Sequence, residues 1–256
     1  MERAAKTYLG LVLVFLYLPI VVMIAMAFNR SALYEMPFTF DLVWFKALAQ
    51  NDRLLKASWN SVWIACINAA IATTLGTLAA YAFARYDFRA KRLLQILLFP
   101  PITIPWLIIG TSMLIFFFWT GIGRGLHAIL LGHVALSLPY VIVVVSARFA
   151  NFGPQLEEAA ASLGATPWQT FWRITIPVLL PGITAAALFA FAVSFDQFVI
   201  SYFLAPPGTS TLPVEIYTSI RKGFTPEINA ISSLIILFSM GLMLIVARNY
   251  KFGGDN

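Results

Sequence analysis

A chain of 256 residues that is 60% apolar and 11% charged carries less than half the charge of an ordinary soluble domain, which runs near 25%; with a mean hydropathy of +0.83, this excludes a soluble fold built around a few buried helices. The net charge of +6 does not mark a nucleic-acid binder, because the basic residues fall between apolar runs rather than along one helix or face. The single cysteine, Cys66, excludes an intrachain disulfide and, lying inside an apolar run, is expected to be a small buried hydrophobe.

Six apolar runs approach or exceed the roughly 20 residues that span a bilayer: 7–28, 58–84, 93–119, 125–147, 174–204 and 228–247. The first follows Arg3 and Lys6, as a signal peptide would. Its 22 uncharged residues from Thr7 to Phe28 exceed the roughly 7–15 of a signal core, however, and no A-x-A-like cleavage site follows, so it is expected to stay as a spanning helix. The connections are 29–57, 85–92, 120–124, 148–173 and 205–227, and six spans put both termini on one side. Termini inside would place Arg3, Lys6, Arg85, Arg89, Lys91, Arg92, Arg148, Arg173, Arg248 and Lys251 in the cytoplasm. Arg30, Lys46, Arg53, Lys56, Arg124, Arg221 and Lys222 would lie outside, a ratio of ten to seven. Four of the ten crowd the short loop Arg85–Arg92, where the positive-inside bias weighs most. The expected fold is an all-α integral membrane protein with six transmembrane helices in one domain, 1–256. The long outer connections 29–57 and 205–227, the second holding Pro206, Pro207 and Gly208, have room for short interfacial helices or a docking surface.

The fourth connection has its own punctuation. Leu156, Ala159, Ala160 and Leu163 recur at helical spacing, Gly164 supplies a left-handed stop, and Thr166, Pro167 and Gln169 form an N-cap, first helical position and capping-box partner. Glu157 and Glu158 place charge at the start of the first helix, and successive alanines would let it seat closely in a groove on another protein. The order Glu158-Ala159-Ala160, three residues, Gly164, nine residues, Ile174-Thr175-Ile176-Pro177 resembles the EAA loop of permeases in ATP-binding-cassette importers, with Ile176 in place of leucine.

That resemblance covers nearly the whole chain and is nearest to permeases of the spermidine/putrescine type. Further motifs in register are Tyr17-Leu18-Pro19, Arg85-Tyr86-Asp87-Phe88-Arg89, Ser137-Leu138-Pro139, Ser194-Phe195-Asp196 and Pro226-Glu227-Ile228-Asn229-Ala230. It implies a type I importer permease fold in a bacterial inner membrane. Within it, 148–176 is a cytoplasmic coupling loop whose Glu157, Glu158, Ala159, Ala160, Gly164, Ile174 and Pro177 serve coupling to an ATPase. The implied partners are two ATPase subunits, a second permease subunit expected to differ from this one, and an extracytoplasmic solute-binding protein. No cofactor is expected in this chain: it has no Gly-x-x-x-x-Gly-Lys phosphate loop, so ATP and Mg would be bound by the partner ATPase.

The cargo expected is a small organic solute, a polyamine or other amine-containing compound. Asp196 is the one formal charge inside a run, and an intramembrane carboxylate costs about 2.5–3.5 kcal/mol on insertion scales, so it is read as a pathway residue, with a structural ion pair or a helix-terminal carboxylate as the alternatives. At about 1.5 Å per residue it lies about 30 Å along its span from Ile176, near the outer end. Tyr17, Trp106, Phe195 and Phe198 offer aromatic faces to an amine. Two positions depart from the polyamine group: Trp106 follows Pro105 where Pro-Asp is typical, and Gln197 follows Asp196 where paired aspartates are typical. The lost carboxylates favour a solute with fewer positive charges than a polycation. Pro177, Pro181 and Gly182 predict a bend at the start of the fifth span.

No His-Glu-x-x-His or Gly-x-Ser-x-Gly motif supports an enzyme. His127 and His133, six apart, point in different directions and are read as span-end or buried histidines. A secondary transporter or channel subunit working without ATP is the alternative, and the single intramembrane charge and the lack of a half-repeat weigh against it.

Overall fold

A computed structural model of the chain describes residues 2–32, 35–98, 100–151, 153–223 and 226–249, with side chains between 5 and 241. The described residues are almost entirely helical; their only β pairing is an isolated antiparallel bridge between Asn29 and Phe40. In chain order the helices are α1 (Glu2–Ala27), α2 (Val43–Gln50), α3 (Asp52–Arg85), α4 (Lys91–Leu97), α5 (Pro100–Thr103), α6 (Trp106–Trp119) and α7 (Leu126–Ala150). They continue with α8 (Gln155–Ser162), α9 (Pro167–Thr170), a π-turn (Phe171–Thr175), α10 (Ile176–Phe195), α11 (Val199–Leu204), α12 (Leu212–Lys222) and α13 (Glu227–Asn249).

Four helices are long and apolar enough to cross a bilayer: Ala5–Ala27 of α1, α3, α7 and the continuous stretch Pro167–Phe195. A fifth crossing arises if α4–α5 and α6 are counted as one bent span. The sixth expected run, 228–247, falls on α13, whose side chains from 242 onward, Arg248 included, lie outside those described, as does Lys251 altogether.

Three expected runs differ from the helices observed. The second begins at Asp52 rather than 58, because the Asn51 side chain accepts the Leu54 N–H at 3.2 Å and caps the helix early. The third, 93–119, is not one helix: its halves meet at 111°. Pro105 lacks the N–H that a helix interior needs and turns Ile104, the residue before it, away from helical geometry. The fifth, 174–204, starts earlier and ends earlier. It grows directly out of α9 and stops at Phe195, after which Asp196 is the C-cap and Val199 opens a new helix.

The bend expected from Pro177, Pro181 and Gly182 does not break the span: Pro167–Phe195 is one continuous stretch, and its winding changes just before Pro177. The Ile176 N–H reaches back to Phe171 O, widening one turn to π geometry. Pro177 cannot donate to the Arg173 carbonyl, and its ring would crowd that carbonyl in a tight turn. Cys66 also differs from expectation: it is exposed on α3, because the buried residues of that stretch, Ile64, Ala65 and Asn68, take the other face.

The chain forms two compact units, 1–55 with 216–256, and 56–215. In the first, α13 packs on α1 and α2. After α1, Asn29 is fully buried, donates to Glu35 O at 3.1 Å and accepts from Thr39 N at 3.1 Å, while Trp44 Nε1 donates to Asn29 O at 2.8 Å. In the second, α7 is the central helix. One core joins Ala72 and Ala80 of α3 to Val141, Val145 and Phe149 of α7 and Leu179 and Ala186 of α10. Another joins Ile64 to Phe117, Ile129, Leu136, Ile200 and Leu204. The approach of α3 to α7 is close: a Cβ on Gly76 would lie 2.5 Å from Val141 Cγ1, the small-residue contact by which membrane helices gain packing.

Candidate coupling segment and helix break

Most of the residues singled out by sequence lie at the two ends of the helix Pro167–Phe195; Trp106 and Tyr17 lie elsewhere, on α6 and α1. At the first end, α8 closes with a Schellman motif: Ala165 N donates to Ala160 O at 3.0 Å and Gly164 N to Ala161 O at 2.9 Å, with Gly164 at φ +85°. A residue with a side chain would be strained in that left-handed conformation. Thr166 then opens α9 with a full capping box, Gln169 N donating to Thr166 Oγ1 at 3.3 Å and Thr166 N to Gln169 Oε1 at 2.9 Å.

The two glutamates at the start of α8 part company. Glu158 is exposed. Glu157 turns inward: its carboxylate pairs with Arg85 Nε at 2.5 Å with side chains 16% and 13% exposed, and Thr175 Oγ1 of the π-turn donates to its other oxygen at 2.5 Å. The Arg85 guanidinium lies 5.1 Å from the Phe149 ring centroid, and Tyr81 joins Phe149 to Phe171 through ring contacts at 6.1 and 5.0 Å. Ala160 is buried and Ile174 packs on the first core. Ala159, Pro177, Leu156, Leu163 and Trp168 are exposed, Leu163 to 90%. The face expected from Leu156, Ala159, Ala160 and Leu163 is therefore bare except at Ala160.

At the other end, Phe195, Asp196 and Phe198 come together at the break between α10 and α11. Asp196 is exposed, and its carboxylate makes no hydrogen bond or ion pair among the described residues. Phe195 stacks on Phe191 at 5.9 Å and Phe198 meets Tyr202 at 5.4 Å. Gln197 is buried and its Oε1 accepts the Val199 N–H at 3.1 Å, starting α11 as a capping side chain would. Trp106 opens α6 directly after the Pro105 bend and is 41% exposed. Tyr17, in the other unit, is exposed on α1.

What holds the break in place is a set of residues that sequence reasoning passed over. His133 of α7 is buried, with Nδ1 2.8 Å from Ser194 Oγ and Nε2 3.0 Å from Ser201 Oγ. A neutral imidazole donates from one nitrogen and accepts at the other, so it joins the last turn of α10 to α11 across the break. One turn along α7, Ser137 accepts from Asn68 Nδ2 at 3.0 Å, and the same amide reaches Ala190 O at 2.9 Å. The signal available was the uncharged polar residue inside an apolar run, Asn68, His133 and Ser137, where attention to formal charge had picked out Asp196 alone. His127, as expected, sits at a helix start, its Nε2 3.0 Å from Ile122 O.

An all-helical membrane chain with a broken span, a buried polar core and a helix–turn–helix segment carrying the EAA spacing defines a permease subunit of an ATP-binding-cassette importer, a transport component and not an enzyme. The chain belongs to the family described as binding-protein-dependent transport system inner membrane component, whose model matches residues 72–252. It is 32% identical over 242 residues to the spermidine/putrescine transport system permease protein PotC of Escherichia coli, covering 93% of this chain and 92% of that protein. It is 36% identical over 241 residues to the putrescine transport system permease protein PotI of the same species, covering 91% and 85%. Among solved structures it resembles a chain of a bacterial alginate ABC transporter in complex with an alginate pentasaccharide-bound periplasmic protein, with a TM-score of 0.74 at 19% identity, covering 99% of this chain and 98% of that one. It also resembles a chain of the MetNI methionine ABC transporter, with a TM-score of 0.64 at 16% identity, covering 77% and 94%. At these identities the structural likeness is one of fold.

Proposed function

We propose that this permease forms half of an import pathway for a small amine-containing solute of the polyamine class, driven by a separate ATPase that grips the segment 155–177. The observation that carries this reading is the division of labour on α8: Glu158, Ala159, Leu156 and Leu163 are presented outward, while Glu157, Ala160 and Ile174 are turned into the chain. A single domain would bury its apolar side chains, so an exposed row of this kind on a short capped helix suits a groove in a partner. In this reading Glu158, Ala159 and Gly164 shape the docked face, whereas Glu157, Ala160, Ile174 and Pro177 join it to the transmembrane helix behind.

The rest of the assembly follows from the same reading. Two ATPase subunits bind ATP and Mg, this chain holds no cofactor, and a second, different permease supplies the other half of the pathway. A solute-binding protein delivers cargo from outside. Both termini lie in the cytoplasm, as the basic loop Arg85–Arg92 favours, and 1–256 works as one permease domain with 148–176 as its coupling loop.

The amine cargo is favoured by the relatives' substrates and by Asp196. A carboxylate at a helix C-terminus faces the negative end of the macrodipole, a placement disfavoured by about 0.3–1 kcal/mol, and Asp196 has no compensating cation in the described chain. A positively charged solute supplies one. Trp106, Phe195 and Phe198 offer aromatic faces to an amine, and Tyr17 offers one on its own unit; the smaller number of carboxylates suits a diamine or monoamine better than a longer polycation.

The test is uptake of radiolabelled putrescine and spermidine in membranes bearing the complete importer. Asp196→Asn is expected to abolish concentrative uptake of both while ATPase co-purification persists, and Glu158→Lys to abolish ATPase co-purification while the chain still inserts. Uptake that continues with the ATPase removed would sink the importer reading in favour of a secondary transporter. Binding-protein profiling that finds no amine ligand would overturn the cargo.

A further inference from the structure

We infer that the Arg85–Glu157–Thr175 knot is a positioning joint that makes α8, the cytoplasmic end of α3 and the start of α10 move as one body, so that displacement of α8 reaches the helix that ends at Asp196. This inference rests on the proposed docking of an ATPase at α8. Its premise is that α8 has little else to hold it. It is eight residues long with one buried residue, Ala160, and an isolated helix of that length is not stable in water. Its larger apolar side chains, Leu156 at 53% exposure and Leu163 at 90%, are only partly covered by their own chain.

The carboxylate of Glu157 fills that gap with both oxygens engaged. One meets Arg85, the last residue of α3, and the other receives the hydroxyl of Thr175, which is fully buried in the π-turn. Arg85 is fixed in turn against the Phe149 ring of α7. A pair this little exposed is weakly screened by solvent and salt, and losing one member removes the compensation this contact gives the other charge. The π-turn adds a further point. Its wider winding, imposed by Pro177, brings Thr175 to face α8, so the site of lowest helical regularity in Pro167–Phe195 is also the site that is tied down. Without the knot, a push on α8 would be passed on chiefly through the capped turn 163–166; with it, the push is delivered to two membrane-crossing helices at once.

The measurement is a distance between spin labels at Ser162 on α8 and Tyr86 just past α3, in the full chain with Cys66→Ser, purified with its ATPase and compared without nucleotide and with ATP on a hydrolysis-deficient ATPase. The parent should give one narrow distribution, the same in both states. Glu157→Gln should lose it, giving a broad distribution that shifts with nucleotide although the ATPase still co-purifies. The exchange Arg85→Glu with Glu157→Arg should restore much of the narrowness. If Glu157→Gln does not accumulate in membranes, Thr175→Val, which leaves the ion pair intact, is read the same way and should broaden the distribution less. A distribution that stays narrow in both variants overturns the joint. Normal ATPase co-purification with Glu158→Lys would instead overturn the docking reading, and the label distance, measured in the chain without ATPase, still reports whether α8 and α3 are joined.

Discussion

The two ends of the helix Pro167–Phe195 are secured in opposite ways. At the Gly164 end the fixings are local and sit a few residues apart: a left-handed glycine, a Schellman pair and a capping box, with one charged knot behind them. At the Asp196 end they are neutral and distant, a histidine on α7 reaching hydroxyls 61 and 68 residues away. The end that works outside the hydrocarbon can use charge and turn chemistry, because water satisfies whatever the turn leaves over. The break has no such reserve, since each unpaired backbone or side-chain group in an apolar setting costs heavily. It is therefore built mainly from uncharged groups that pair with one another, although Asn68 Oδ1 and Gln197 Nε2 are buried without a hydrogen-bond partner among the described residues and Asp196 stays exposed.

The largest effect should come from removing the distant clamp. His133→Leu keeps the volume and leaves two serine hydroxyls without their partner, at about 1–3 kcal/mol for each buried group, reduced where a serine turns back to the carbonyl four residues earlier. Thermal unfolding in detergent should fall by several degrees, and uptake should be lost even though the ATPase remains bound. A His133→Leu chain that melts and transports like the parent would erase the contrast between the two ends.

At the Gly164 end the expected losses are smaller. Gly164→Val forces a β-branched residue to φ +85°, at about 1–2 kcal/mol for the left-handed conformation, while nothing lies within 4 Å of the new Cβ to clash with it. Gly164→Asn, which tolerates that conformation, should keep most activity. The pair separates backbone strain from loss of room for a partner: equal damage from both would mean that the docked face needs the space, not the turn. Thr166→Ala removes one half of the capping box and should cost about 1 kcal/mol, visible as a small drop in melting temperature with ATPase association intact.

The same contrast explains what could be read from the sequence. Gly164, Thr166, Pro167 and Gln169 were legible because each acts on residues within a turn of itself, and family spacing placed Glu158 and Pro177 on that frame. The long helices were legible as apolar runs, but their ends were not. Pro100, Pro101 and Pro105 were in plain view inside the third run, and hydropathy averaged across them. The stop at Asp196 depends on Gln197 capping Val199 and on His133, and no periodicity links position 133 with 194 and 201. The inward turn of Glu157 is equally non-local, because its partner Arg85 is 72 residues away. Cys66 was misjudged for a related reason: in a spanning helix both faces are apolar, so apolar surroundings in sequence do not say which face is buried.

The least effect belongs to a third local fixing, in the connection after α3. Lys91 Nζ lies 2.8 Å from Asp87 Oδ1, an exposed i,i+4 pair, and hydrogen bonding to Lys91, with its charge, holds the Asp87 carboxyl below its usual range. A depressed carboxylate contributes stability that is present above its unfolded value and fades as pH falls through the depressed folded one, so nothing should change near neutral pH. Lys91→Ala should return the Asp87 titration towards the ordinary carboxylate range, followed by NMR of labelled aspartate, and leave melting and uptake at pH 7 unaltered, since the Asp87 carboxylate stands in solvent and the pair is well screened. If instead Lys91→Ala weakened ATPase association as Glu158→Lys is expected to, the basic loop Arg85–Arg92 would be part of the docked surface. The division between inward Glu157 and outward Glu158 would then extend one connection further along the chain.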